Sequence, residues 1–382
     1  MSNGRKARQA LPISWVLQRR LKTNTKRRIG WSNWPTDTKW RQAHHNMRLV
    51  HFFTTALAML ATYAAAAPLE FGDGPRMNQI QVLGTHNSYH KRGPDLHAFT
   101  AITKEAEGWD YEHLPLDVQL ANGLRSFELD IHNTPEGWRV MHVPILDATS
   151  TCPVFTDCLR LVKTWSDAHP GHVPISFLVE WKEEGPMIDP RITVPTGADM
   201  DRLDADVRSV YGPERLITPD DVRGDAATLE EAVLKRGWPT LESARGRVFF
   251  ILHNRSEARG LYLEGRESLQ GRTMFVNCDP GHPYAAAMVR DNPNDPETPD
   301  LVRKGYWVRC TVGGPDKRGL QAAKVRLGRS LACGAQIVST DSPPGEPHKE
   351  TGFMVMLPNG LPARWNPVNP PADTSNEPEA AE

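Results

Sequence analysis

Cysteine is scarce in this chain, five among 382 residues, and no two are spaced as C-x-x-C. A structural zinc site built on that spacing is therefore not expected. Long apolar runs are also missing. Beyond residue 67 no stretch is long and apolar enough to cross a bilayer. Positive charge is short in the body of the chain. From Pro68 onward there are 33 Lys and Arg against 45 Asp and Glu. A surface that acidic does not attract a phosphate backbone, so no nucleic-acid partner is expected. It suits a protein that collects a hard cation. Internal repeats are absent, which excludes a repeat array.

What is present begins with a reversal of charge. Residues 1–46 carry eleven Lys and Arg and one acid, Asp37. Met47-Arg48 then opens an apolar run over 49–63 that ends in Ala64-Ala65-Ala66-Ala67-Pro68. One charge, a short apolar core and an A-x-A end form the layout of a secretory signal peptide. The expected organisation is an over-extended gene start or basic extension at 1–46, a signal peptide at 47–67, and one folded body over 68–366. A Pro-, Glu- and Ala-rich tail at 367–382 is expected to lack fixed structure. The mature protein would be secreted or periplasmic. Export permits disulfides. Cys152 and Cys158 flank a short turn and are the expected pair, with Cys310 and Cys333 a second candidate pair. The odd count leaves at least one thiol free.

Short β-rich runs recur through the body at 79–83, 124–130, 138–142, 174–181, 247–253, 273–276, 306–312 and 335–339. Ile175-Ser176-Phe177-Leu178-Val179 and Val248-Phe249-Phe250-Ile251-Leu252 are nearly continuous apolar runs, as in parallel strands buried on both faces. Helical patterns fall between them at 115–122, 156–169, 200–210, 228–236 and 318–332. Thr228-Leu229-Glu230-Glu231 has the form of a capping box. The alternation predicts an α/β TIM-like (β/α)₈ barrel. One junction is irregular. Between Asp130 and Trp138 there is no room for a parallel crossover, so a local hairpin or a missing helix is required.

Polar residues gather where the predicted strands end, which in such barrels is the functional face. Gly84-Thr85-His86-Asn87-Ser88-Tyr89-His90 follows the first strand, Glu128-Leu129-Asp130 the second, His142 the third and Glu180 the fourth. Glu128 and Asp130, two apart on a strand, leave the same face. Carboxylates that close need a cation or proton between them. With Glu180 and the Asn87 amide oxygen they make an all-oxygen set, suited to Ca²⁺ or Mg²⁺ better than to zinc or copper. His86 and His142 are candidates for acid/base work on a phosphodiester; His90, His113 and His132 are read as structural. His253, Arg255 and Arg309 are candidate substrate-binding groups. Arg309 lies inside an apolar strand and needs a partner: a substrate phosphate, or an internal acid such as Asp341.

Gly84-Thr85-His86-Asn87-Ser88-Tyr89 resembles the first strand end of the phosphatidylinositol-specific phospholipase C superfamily. Glu128-Leu129-Asp130 resembles the Glu-x-Asp of its calcium-dependent branch. His142 resembles the second histidine of that branch, Glu180 its third carboxylate and Asn87 its asparagine ligand. The stretch from Val143-Pro144-Ile145-Leu146-Asp147 to Pro170-Gly171-His172 is similar to the secreted bacterial subgroup. The resemblance covers roughly residues 77–345. It implies a calcium-dependent phosphodiesterase that cleaves phosphatidylinositol-type phospholipids, with transient membrane-surface contact and no protein partner. Glu128 or Glu180 would take the hydroxyl proton, His86 would stabilise the phosphoryl group, and His142 would protonate the leaving oxygen. The alternative on the same barrel is a glycerophosphodiester phosphodiesterase or a sphingomyelinase-D-like enzyme. The fifth strand departs from the eukaryotic calcium enzymes, with His253 and Arg255 in place of lysines.

Overall fold

The computed structural model describes residues 68–379, apart from Ile102, Ser256 and Lys317. The basic segment 1–46 and the expected signal peptide at 47–67 lie outside the described residues. Among the described residues there are ten strands: β1 (Ile80–Thr85), β2 (Ser126–Thr134), β3 (Gly137–Val140), β4 (Ile175–Trp181), β5 (Val248–Leu252), β6 (Met274–Val276), β7 (Ala287–Val289), β8 (Trp307–Thr311), β9 (Ile337–Thr340) and β10 (Ala363–Trp365). Eight of them run parallel in the order β6-β5-β4-β2-β1-β9-β8-β7. A parallel bridge between Asn277 and Ala287 brings β6 to β7 and nearly closes the barrel.

The eighth barrel strand is not the one expected. The run at 138–142 forms β3, which pairs antiparallel with β2 from Ile131↔Val140 to Thr134↔Gly137. It is a hairpin flap on the barrel's end, because two intervening residues allow reversal but not a crossover. The true eighth strand is β7, three residues long and reached from β6 through a loop without a helix. The remaining crossovers are helical, by α1 (Leu116–Ala121), α2 (Phe155–Ala168), α3 (Gly197–Val210), α4 (Leu229–Lys235), α5 (Glu257–Leu263), α6 (Thr298–Lys304) and α7 (Gly319–Ala332). In α2 the side chains of Phe155, Leu159, Val162 and Trp165 repeat at helical spacing and are buried, each stabilising the fold by about 1.5–3 kcal/mol. Thr228 caps α4 by accepting from the Glu231 amide at 3.1 Å.

Inside the barrel Phe249 of β5 meets Trp307 of β8 edge-on, ring centroids 4.8 Å apart. Gly84 is required where β1 meets β2: a Cβ there would lie 2.8 Å from the Ser126 Cβ. The tail expected to be unstructured instead returns to the body. Its Glu379 is buried, paired with Arg125 and accepting from the Val173 amide at 3.0 Å. Cys152 and Cys158 form a disulfide. Cys310 and Cys333 are buried free thiols with their sulfurs 3.8 Å apart, and Cys278 is a third.

Candidate active site

The first residues after β1 turn sharply. Asn87 adopts a left-handed backbone, φ 46°, which asparagine tolerates better than most residues. The turn is pinned to β2 by the Ser88 amide donating to the Glu128 carbonyl at 2.9 Å and the Glu128 amide donating to Ser88 Oγ at 2.8 Å. It leaves His86 at the barrel mouth, 43% exposed, with Nδ1 3.0 Å from Asp341 Oδ1 and Nε2 3.9 Å from Glu128 Oε1. Burial disfavours its protonated form, but Glu128 and Asp341 outweigh that and raise the pKa to about 9. Asn87 donates its Nδ2 to the Tyr111 hydroxyl at 2.9 Å. Its Oδ1 is buried with no hydrogen-bond partner.

The β3 hairpin and the loop after it carry the second histidine. His142 Nδ1 lies 2.8 Å from Asp147 Oδ2, and the same oxygen lies 2.8 Å from His90 Nε2. Burial would raise the Asp147 pKa; the bonds to His142 and His90 pull it below the usual carboxylate value instead. His90 stacks on Tyr111 at 4.2 Å, and the Trp109 ring meets His142 edge-on at 5.8 Å. His142 is 20% exposed, so one ring edge remains open to the mouth. His132 is structural: it hydrogen-bonds the Met141 carbonyl, and burial lowers its pKa to about 4.

Parallel pairing of β2 with β4 sets Asp130 beside Glu180. Oxygens of Glu128 and Glu180 and a nitrogen of His253 lie within 4.8 Å of one another. Glu180 Oε2 accepts from His253 Nδ1 at 3.2 Å. Asp130 and Glu180 both hold the ammonium of Lys182, at 3.0 and 2.9 Å. Burial raises the Asp130 pKa, whereas His253 and Lys182 overcome burial at Glu180 and draw its pKa far down. Glu128 is paired with Arg309 at 2.6 Å. The set fits a hard cation by its chemistry. Glu128 and Glu180 come together, Lys182 links Asp130 to Glu180, and both Asp130 oxygens and Asn87 Oδ1 are buried without a well-formed hydrogen bond. Carboxylate and amide oxygens suit Ca²⁺.

The expected substrate-binding residues divide. His253 joins the acids. Arg255 lies on the surface, paired with Asp279 at 3.0 Å, in a side cavity of about 450 Å³ that Glu180 and His253 also line. Arg309 is buried, bound to Glu128, Asp291 and Ser339. Its acid partners are thus the buried Glu128 and the exposed Asp291, not Asp341, which serves His86. Two participants are not recognised in the sequence, Lys182 and Asp147, and Asp341 is read there only as a possible partner of Arg309. Lys182 and Asp341 each directly follow a strand, so both carry a positional signal. The main cavity at the mouth measures about 1740 Å³ and is lined by His86, Asn87, Tyr111, His142 and Asp341 among others.

Two carboxylate-supported imidazoles over an acidic, oxygen-rich pocket at the end of a (β/α)₈ barrel define a metal-assisted phosphodiesterase. The family model for Ca²⁺-dependent phosphoinositide phospholipase C matches residues 75–139 and 134–367, and the chain belongs to that family. It is accordingly a calcium-dependent phosphoric diester hydrolase. Among solved structures, a Ca²⁺-dependent phosphatidylinositol-specific phospholipase C from Streptomyces antibioticus is 22% identical. The match covers 70% of this chain and 95% of that one, with a TM-score of 0.50. A calcium-dependent phosphoinositol-specific phospholipase C from a Pseudomonas species, in its apo form, is 18% identical over 76% of this chain and 95% of that one, with a TM-score of 0.51. These two likenesses concern the fold. No curated protein sequence matches the chain.

Proposed function

We propose that the chain cleaves phosphatidylinositol-type phospholipids with His86 and His142 as its catalytic histidines, and with Ca²⁺ held by Asn87, Glu128, Asp130 and Glu180. The supporting observation is that each imidazole is backed by its own carboxylate, Asp341 or Asp147, beside one cluster of acids. The ion, when bound, makes the attacking hydroxyl more acidic and offsets charge on the phosphoryl group. Glu128 or Glu180, which lie together beside His253, accepts the hydroxyl proton. His86, kept protonated by Asp341 and Glu128, donates to a phosphoryl oxygen as charge builds there. His142, its Nδ1 fixed on Asp147, donates from the opposite ring nitrogen to the diacylglycerol oxygen. Attack by the neighbouring inositol hydroxyl gains from proximity and gives a cyclic phosphate first.

Contact with a lipid surface is part of the same reading. Ile145, Met187 and Val194, on the loops that follow β3 and β4, are 57, 59 and 64% exposed. Apolar side chains that open to water at a mouth are suited to a lipid surface. Export is inferred from the composition of 47–67 and is consistent with the Cys152–Cys158 disulfide. The test is hydrolysis of phosphatidylinositol vesicles followed by phosphorus NMR, with glycerophosphocholine as the competing substrate. His86→Ala and His142→Ala are each expected to lower kcat by roughly 10²–10⁴. Wild-type kcat in either variant, or preference for glycerophosphocholine, would overturn the assignment.

A further inference from the structure

Lys182 is the first residue beyond β4 and brings a positive charge into the acid cluster. Its ammonium lies 3.0 Å from Asp130 Oδ2 and 2.9 Å from Glu180 Oε2. Asp130 is fully buried, so its negative charge demands a counter-charge close by. These are two of the acids assigned above to Ca²⁺, and the cation they share here is the lysine's. Arg309 provides a contrast. Its guanidinium is buried and gripped from two sides, by Glu128 and Ser339 and by Asp291. Lys182 is 22% exposed, and its backbone amide is fixed on the Ile131 carbonyl at 3.1 Å. Only its flexible four-carbon stem needs to move for the charge to leave the site.

We propose that Lys182 is a resident counter-ion of the calcium site: its ammonium occupies the Asp130–Glu180 pair when Ca²⁺ is absent and is displaced to solvent when Ca²⁺ binds. The inference rests on the ligand assignment made above. It has two consequences. Calcium affinity is set by an exchange, a divalent ion for an ammonium, and not by filling of a vacant acid cluster. The acids also keep their arrangement without the metal, because a charge of the right sign holds them.

The test uses the full mature protein and CaCl₂ at constant ionic strength. Amine-selective acetylation read by mass spectrometry reports on Lys182 directly: its labelling rate should rise several-fold on adding Ca²⁺. Lys182→Met should bind Ca²⁺ at least about tenfold more tightly by calorimetry. That variant should melt below wild type in EGTA and at the wild-type temperature in saturating Ca²⁺. Lys182→Arg, which keeps a charge on the stem, should show neither change. If Lys182→Met does not fold in EGTA, recovery of a wild-type melt on adding Ca²⁺ supports the proposal, and failure to recover overturns it. Unchanged labelling together with unchanged affinity in Lys182→Met overturns it while leaving the calcium reading intact. Absence of calcium binding by wild type and variant alike overturns both.

Discussion

Asp147 faces two imidazoles with one oxygen, and that sharing is what fixes the His142 ring. The loop between them is tight: Val143 and Asp147 bridge each other, and Ile145 at its apex has φ 68°. A β-branched residue in that region is strained, which ties the loop's shape to the position it gives Asp147. Asp147→Asn replaces a carboxylate that contacts two imidazoles by an amide. It should lower kcat by roughly 10² with little change in KM, read by steady-state kinetics on phosphatidylinositol. A second residue, far from the chemistry, controls acid stability. His172 is buried, bonded to Ser166 Oγ at 2.7 Å, and burial with nearby Arg125 and Arg215 lowers its pKa to about 3. Between that value and the ordinary 6.5 the unfolded chain takes up a proton that the folded one refuses. Stability contributed by this group is thus complete above 6.5 and falls by about 1.4 kcal/mol per pH unit below it. Denaturant titrations from pH 7 to 5 should show that slope flattened in His172→Gln; an identical slope would remove His172 as its source. His86, Asn87, Glu128, Asp130 and Glu180 could be read from the sequence because they directly follow or end apolar strands. Lys182 and Asp147 were not: Lys182 also directly follows a strand, but only strand register sets its charge against Asp130, and Asp147 sits in a loop whose partners are set by the folded path.

At the level of elements, the close contact of β1 with β2 carries the site. Gly84 lets the two strands approach, and the next four residues include His86, Asn87 and Ser88. Gly84→Ala would press a methyl against Ser126 and should cost about 1–3 kcal/mol. It should also reduce calcium affinity by displacing Asn87. Urea denaturation with calcium calorimetry measures both; wild-type values for each would show the contact to be slack. Strand legibility followed burial. β4 and β5 are continuous apolar runs covered on both faces, and their sequence alone places them. β3 alternates buried and half-buried residues, unlike the barrel strands, and the short connection before it also marks it as a hairpin. β7 is three residues long in an alanine-rich segment with no helix before it, so neither length nor flanking pattern marks it.

For the whole molecule, the barrel's work is convergence. Residues from 86 to 341 reach one mouth because eight parallel strands all end there. The general architecture followed from alternating strands and helices, while the pairing of each acid with Lys182 or Arg309 depended on strand register. The tail illustrates the limit of composition as a guide. Its residues are polar and proline-rich, yet one carboxylate, Glu379, finds the buried Arg125 and anchors it. Asn87, Glu128, Asp130 and Glu180 are proposed to hold the calcium on which phosphodiester cleavage depends. The most direct measurement of this is the initial rate on phosphatidylinositol after exhaustive EGTA treatment and then across a titration of added Ca²⁺. The account predicts loss of activity in EGTA, full recovery on adding Ca²⁺, and a requirement for at least about tenfold more Ca²⁺ in Asp130→Asn, whose amide loses the charge that attracts the ion. Full activity in EGTA, or a titration that Asp130→Asn leaves unmoved, would contradict it.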